Sequence, residues 1–219
     1  MTQKLRVKAI LFDLDGTIVD SRRAYSKALK TALLKMGRQD TFNSSLATEI
    51  PRRLEQNLPI MDMIRGVDVN TFLKHYLKAY YEATAEETRP VPGISEALNK
   101  LSRRFKVGLI TMRYVPKERV TEELARFNIV DYFECIITAS DTHNPKPSPE
   151  ALVKCARQLN VKIDQCAVVG DSVADVRAGK NAGTKTVAVL SGIFSREDLQ
   201  KENPDLIIGS VKDLPDHLD

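Results

Sequence analysis

No apolar run in this sequence approaches the roughly 20 residues that a membrane-crossing helix needs, and no tract is low in complexity or biased enough to stay disordered. Cysteine is scarce. Cys135, Cys155 and Cys166 form no CxxC pair, and Cys135 and Cys166 fall in apolar runs that read as buried strands, so reduced core thiols are expected. No cluster of histidine and cysteine is present to supply a soft metal site. The first dozen residues read as a strand and not as a signal peptide, which makes the cytoplasm the expected compartment. Strong charge of one sign is also missing. The net charge of +4 is mildly basic, and its lysines and arginines are spread along the chain, so no nucleic-acid footprint is expected. The pairs Arg22 and Arg23, Arg52 and Arg53, and Arg103 and Arg104 read as solvated helix faces.

What remains is ordinary globular material: 219 residues, 42% hydrophobic and 28% charged, enough to bury a core without disulfides. Short runs at residues 6–12, 106–110, 135–138, 166–169, 185–190 and 206–208 are nearly continuous Val, Ile and Leu. Such runs suit parallel strands covered on both faces. Between them, residues 94–104, 116–127, 149–159 and 172–182 place apolar side chains three or four apart, as crossover helices do, with Pro116 and Pro149 expected in first turns and Gly183 just past a last one. Alternating strand and helix predict an α/β fold, a Rossmann-like doubly wound parallel sheet.

One connection differs. Residues 20–88 contain helical patterns in AYSKALKTALLKMG, PRRLEQNL and VNTFLKHYLKAYYEAT, punctuated by Gly37, Pro59 and Gly66, and no convincing strand. They read as an inserted helical cap domain, with residues 1–19 and 89–219 forming the core domain. His75 in the last pattern reads as packing or surface, and His143 as loop surface.

The informative polar residues follow strands. ILF ends in Asp13, GLI in Thr111 and AVVG in Asp171, while Lys146 sits in a proline-rich loop soon after CIIT. Ligands bind beyond the carboxyl ends of strands in open α/β sheets. Taken singly, Asp171 could cap a helix, Asp175 could sit in a first turn, Thr111 could serve a turn and Lys146 could be a solvated loop residue. Together with DLDGT at the head of the chain these local explanations lose force. Asp13, Asp15, Asp171 and Asp175 would converge, and two unit charges roughly 5 Å apart repel by about 3 kcal/mol at an effective dielectric near 20. One lysine cannot neutralise four such acids. Either some are protonated or a cation binds, and an all-oxygen donor set favours magnesium, Mg2+.

At these residues the chain resembles the haloacid dehalogenase superfamily, in its phosphatase branch with a helical cap after the first strand. DLDGT matches the first motif, ITMR the second, NPKPSPE the third and GDSVAD the fourth, in order and across the whole chain. DGTIVDS and KPSPE look most like phosphoglycolate phosphatases and relatives that act on small phosphorylated metabolites. The resemblance implies that Asp13 is a nucleophile forming an aspartyl-phosphate and that Asp15 serves as acid and then base. It implies that Thr111 and Lys146 hold the phosphoryl oxygens, helped by the backbone N–H groups of Leu14 and Met112. Magnesium would be held by the Asp13 carboxylate, the Asp15 backbone carbonyl and Asp171, with Asp175 acting through water or by orienting a ligand. Met112 departs from the Asn or Gly common in relatives, and Arg113 stands where a basic residue is common, with a structural or supporting role expected.

Asp15 argues against the dehalogenase reaction, because halide leaves without protonation. A phosphoglucomutase-like transfer depends on cap residues that helix patterning does not place, and a non-enzymatic phospho-acceptor would lack the acid at Asp15. In the family the cap supplies most contacts to the leaving group, and Arg52, Arg53 and Arg65 are candidates here. The expected partner is a small phosphorylated metabolite, with neither nucleic acid nor membrane, and the chain is read as a monomer or homodimer.

Overall fold

The computed structural model describes residues 4–219 and divides into two compact units, one built from residues up to Val19 and from Pro90 to Asp219, the other from Asp20–Arg89. The first unit is a six-stranded sheet in the order β5-β4-β1-β6-β7-β8, formed by β1 (Ala9–Asp13), β4 (Lys106–Ile110), β5 (Cys135–Ile137), β6 (Cys166–Gly170), β7 (Lys185–Val189) and β8 (Leu206–Ile208). Every neighbouring pair is parallel. Two short strands, β2 (Val19–Asp20) and β3 (Arg89–Pro90), make a separate two-stranded sheet at the chain crossings.

Alternation along β1 explains the two-faced core. Ile10 and Phe12 join Leu98 and Leu101 of α4 (Ile94–Ser102) and Val120 and Leu124 of α5 (Lys117–Arg126). Ala9 and Leu11 point the other way, into a cluster with Leu152 and Cys155 of α6 (Glu150–Gln158) and Ala178 of α7 (Val173–Ala182). A smaller cluster seats Leu199 of α8 (Arg196–Lys201) beside Val176 and Phe194. A fully buried leucine is worth roughly 1.5–3 kcal/mol relative to exposure, so these opposed faces hold the sheet. All three cysteines are buried thiols without a disulfide.

The chain leaves β1 for β4 on one side and later returns to β6 on the other. The connection leaving β1 therefore runs to one side of the sheet and the one leaving β6 to the other, and their divergence opens a crevice at the carboxyl ends of these two strands. Val, Ile and Leu runs place every predicted strand, but β1 ends on Asp13, which stays in register with Ile110. Pro116 and Pro149 lie at N-cap positions, one residue before the helices that they were expected to open.

The second unit holds α1 (Arg22–Lys35), α2 (Leu46–Glu55) and α3 (Val69–Glu87). Tyr25 of α1 stacks on Tyr80 of α3, with ring centroids 5.1 Å apart. Helix α2 starts earlier than PRRLEQNL suggests and carries Pro51 inside it. Arg52 and Arg53 differ from the expected solvated face: Glu49 binds both, and Arg53 also donates to Asp62 at 2.7 Å. Among the described residues no helix is long and apolar enough to cross a membrane.

Candidate active site

Asp13 closes β1 with its side chain on the α6 and α7 side, continuing the parity of Ala9 and Leu11. Lys146, only 4% exposed, donates to Asp13 Oδ1 at 2.5 Å and to Asp175 Oδ1 at 2.6 Å. Burial alone would lower the lysine's pKa, but these two carboxylates outweigh it and hold Lys146 well above its ordinary range. Burial pushes Asp13 up to about 7, against the pull of Lys146 and with added push from Asp175 and Asp15. The ammonium stays charged while the acid beside it wants a further positive neighbour.

Asp175 does not stand free in a first turn. Ser172 caps α7 by accepting from Asp175 N, and its own N–H and hydroxyl both donate to Asp175 Oδ2 at 3.2 and 2.7 Å. The cap is therefore Ser172 and not Asp171, and Asp175 has one oxygen fixed by the capping box and the other fixed on Lys146. Asp171 is aimed elsewhere. Its Oδ1 accepts from Thr17 Oγ1 at 3.4 Å and its Oδ2 from Ile193 N at 3.2 Å. Two glycines make room for it: a β-carbon on Gly16 would lie 2.5 Å from Asp171 Oδ2, and one on Gly192 only 1.6 Å. Gly16 also takes φ +81°, which favours glycine.

Asp13, Asp171 and Asp175 each offer an oxygen, all within 4.8 Å of one another and all buried. Three hard carboxylate oxygens, one of them in a cradle that a β-carbon would fill, fit a small divalent cation of the magnesium type. Asp15 is not one of the three. The strand stops at Asp13, Leu14 bends, and the Asp15 carboxylate turns to Arg113, whose Nε and Nη2 donate to it at 2.8 and 2.6 Å. The acids thus have two cations, and the repulsion expected among four is relieved at Asp15 by an arginine that charge counting from the sequence left out.

The other sequence-predicted positions also reach this edge. Thr111 follows β4, is 3% exposed, and its Oγ1 accepts from Arg113 N at 3.2 Å, which leaves its hydroxyl proton free to donate. Leu14 is buried under the loop, its carbonyl accepting from Ile18 and Val19. Met112 lies half-buried between Thr111 and Arg113. His143 is exposed, and its backbone N–H donates to Glu150.

A fifth segment was missed. After β7, Ser191 Oγ donates to Gly16 O at 2.7 Å and Ile193 N to Asp171, tying this loop to the one after β1. The signal was the same as elsewhere, a polar residue and a glycine at the carboxyl end of a strand, in AVLSG. Glu123, which binds Arg113, was also missed; it interrupts the buried stripe of α5 between Val120 and Leu124.

A family model described as haloacid dehalogenase-like hydrolase matches residues 10–189, from β1 through β7. The chain belongs to this family. Within the haloacid dehalogenase-like hydrolases it is 31% identical over 211 residues to a phosphoglycolate phosphatase of Aquifex aeolicus, covering 95% of each chain. It is 30% identical over 219 residues to the pyrophosphatase PpaX of Halalkalibacterium halodurans, covering 97% of each. A solved haloacid dehalogenase-like family protein from Streptococcus pneumoniae superposes with a TM-score of 0.77 at 19% identity, covering 94% of this chain and 95% of that one. At that identity the likeness speaks for the fold.

Proposed function

We propose that this haloacid dehalogenase-like hydrolase is a magnesium-dependent phosphatase that cleaves small phosphate monoesters through a phosphorylated Asp13. It is a phosphoric monoester hydrolase of the phosphoglycolate phosphatase-like kind. The observation that carries the mechanism is the buried ring of Asp13, Asp171 and Asp175 closed by one buried lysine at the carboxyl ends of β1 and β6.

Asp13 Oδ attacks phosphorus in line, and the ester oxygen leaves with a proton from Asp15. In the second step Asp15 takes a proton from the water that hydrolyses the acyl phosphate. Lys146 and the Thr111 hydroxyl, with the N–H groups of Leu14 and Met112, hold the equatorial oxygens and stabilise charge at the transition state. Asp13, Asp171 and the backbone carbonyl of Asp15 would hold magnesium, which supplies positive charge that lets an anionic nucleophile meet an anionic phosphate. Asp175 serves chiefly to orient Lys146, which it holds through Oδ1 while the capping box fixes its Oδ2. The helical unit is the cap in this reading, and the substrate is a small phosphorylated metabolite with phosphoglycolate the first to test.

Purified protein should release phosphate from 4-nitrophenyl phosphate with magnesium and stop in excess chelator; undiminished activity in chelator rejects the metal role. A panel containing phosphoglycolate, pyrophosphate and hexose phosphates, scored by kcat/KM, chooses the substrate class. Interconversion of hexose phosphates without net phosphate release would make the chain a mutase, and a stable phosphoprotein without turnover would make it a phospho-acceptor.

A further inference from the structure

Arg113, expected in a structural or supporting role, is buried between two acids. Its side chain is 3% exposed and forks onto both oxygens of Asp15. Its Nη1 and Nη2 also reach the carboxylate of Glu123, itself 4% exposed on α5. A buried acid on the apolar stripe of a helix is retained at a cost unless it is paired. Here the pairing fixes an arginine whose other edge holds Asp15.

We propose that Arg113, anchored by Glu123, is the positioning residue that aims the Asp15 carboxyl at the leaving oxygen of the substrate. The proposal rests on the phosphatase reading above. In the step concerned, Asp13 Oδ forms a bond to phosphorus, the bond from phosphorus to the ester oxygen breaks, and the proton on Asp15 passes to that oxygen. The products are an aspartyl-phosphate, a free alcohol or phenol, and an Asp15 carboxylate. Proton transfer of this kind requires the acid within hydrogen-bond reach of its target. A two-pronged guanidinium leaves the carboxyl one orientation. With a proton on one Asp15 oxygen, that oxygen keeps a lone pair for its Arg113 donor and the other oxygen keeps its own, so both prongs hold the group when it is an acid and when it is a base.

Only a poor leaving group needs that proton, which gives positioning a signature that general structural damage lacks. The test is kcat/KM for 2,4-dinitrophenyl, 4-nitrophenyl and phenyl phosphate, in the wild type, in Arg113→Lys, and in the double variant Arg113→Met, Glu123→Gln, which removes both charges of the buried pair so that Glu123 is not left uncompensated. The double variant should lose about 30-fold or more on phenyl phosphate and less than about 3-fold on 2,4-dinitrophenyl phosphate. Arg113→Lys should recover part of the phenyl phosphate loss, since an ammonium offers a point charge in place of a fork. Equal losses along the series overturn the proposal and make Arg113 a structural or phosphoryl-binding residue. If the double variant fails to fold by circular dichroism, Arg113→Lys decides alone: a steeper leaving-group dependence than wild type supports positioning and a parallel one overturns it. A wild type inactive on all three esters removes the phosphatase reading and this proposal with it, an outcome distinct from a failure at Arg113.

Discussion

Gly192 has no space for a β-carbon, because the Asp171 carboxylate occupies the place where one would go. Gly192→Ala should therefore push Asp171 off its bonds from Thr17 and Ile193 and raise the magnesium concentration for half-maximal activity by about 10-fold or more. A metal titration of phosphate release measures this, and an unchanged midpoint would mean that Asp171 does not depend on the cradle. At this scale the sequence is legible where chemistry is concentrated. Asp13 and Asp171 stand at the ends of apolar runs, Asp175 one helical turn past Asp171 and Lys146 in the proline-rich loop after CIIT, and the fold gathers them. The partner of Asp15 was not legible, because the strand stops at Asp13 and the bend at Leu14 turns Asp15 toward Arg113. Whether Arg113 turns inward depends on Glu123, ten positions along the chain, and no local pattern reports that pairing.

Helix α7 joins stability to chemistry, since Ser172 both caps it and fixes Asp175. Helix α8 offers a comparison, for Ser195 caps it by accepting from Asp198 N at 3.1 Å without touching the acid ring. Ser172→Ala and Ser195→Ala should each cost about 1 kcal/mol in urea unfolding. Only Ser172→Ala should also lower kcat/KM, because it frees the residue that orients Lys146; equal activity in both variants would separate the cap from the site. The elements themselves were largely visible, because continuous apolar runs and three-to-four spacing mark buried strands and amphipathic helices. Helix α2 was the exception. A proline ordinarily signals a helix start, yet Pro51 lies inside α2, where burial together with Ala47 and Ile50 outweighs the lost N–H.

For the molecule as a whole, the acid ring is a place where function opposes stability. Asp13 has its pKa raised from 3.8 to about 7, mainly by burial, so the folded state holds that proton more tightly than the unfolded one. The group's favourable contribution is full below about pH 4 and is lost as pH rises through about 7. In metal-free buffer at pH 8, Asp13→Asn should therefore be more stable than wild type by about 1–2 kcal/mol, with Lys146 still paired to Asp175. Magnesium should then raise the unfolding midpoint of the wild type more than that of the variant. A variant less stable than wild type in metal-free buffer would show that the Lys146 pair outweighs burial. The doubly wound sheet that creates this ring was readable from strand and helix alternation. The order of its strands was not, because sheet neighbours are chosen by packing across the chain and not by local pattern. The central claim is that Asp13 takes the phosphoryl group. It is tested most directly by rapid acid quench during 4-nitrophenyl phosphate turnover, followed by mass spectrometry of the peptide spanning β1. The account predicts one added phosphoryl group on Asp13, absent in Asp13→Asn. Full turnover by Asp13→Asn, with no phosphorylated peptide in either protein, would contradict it.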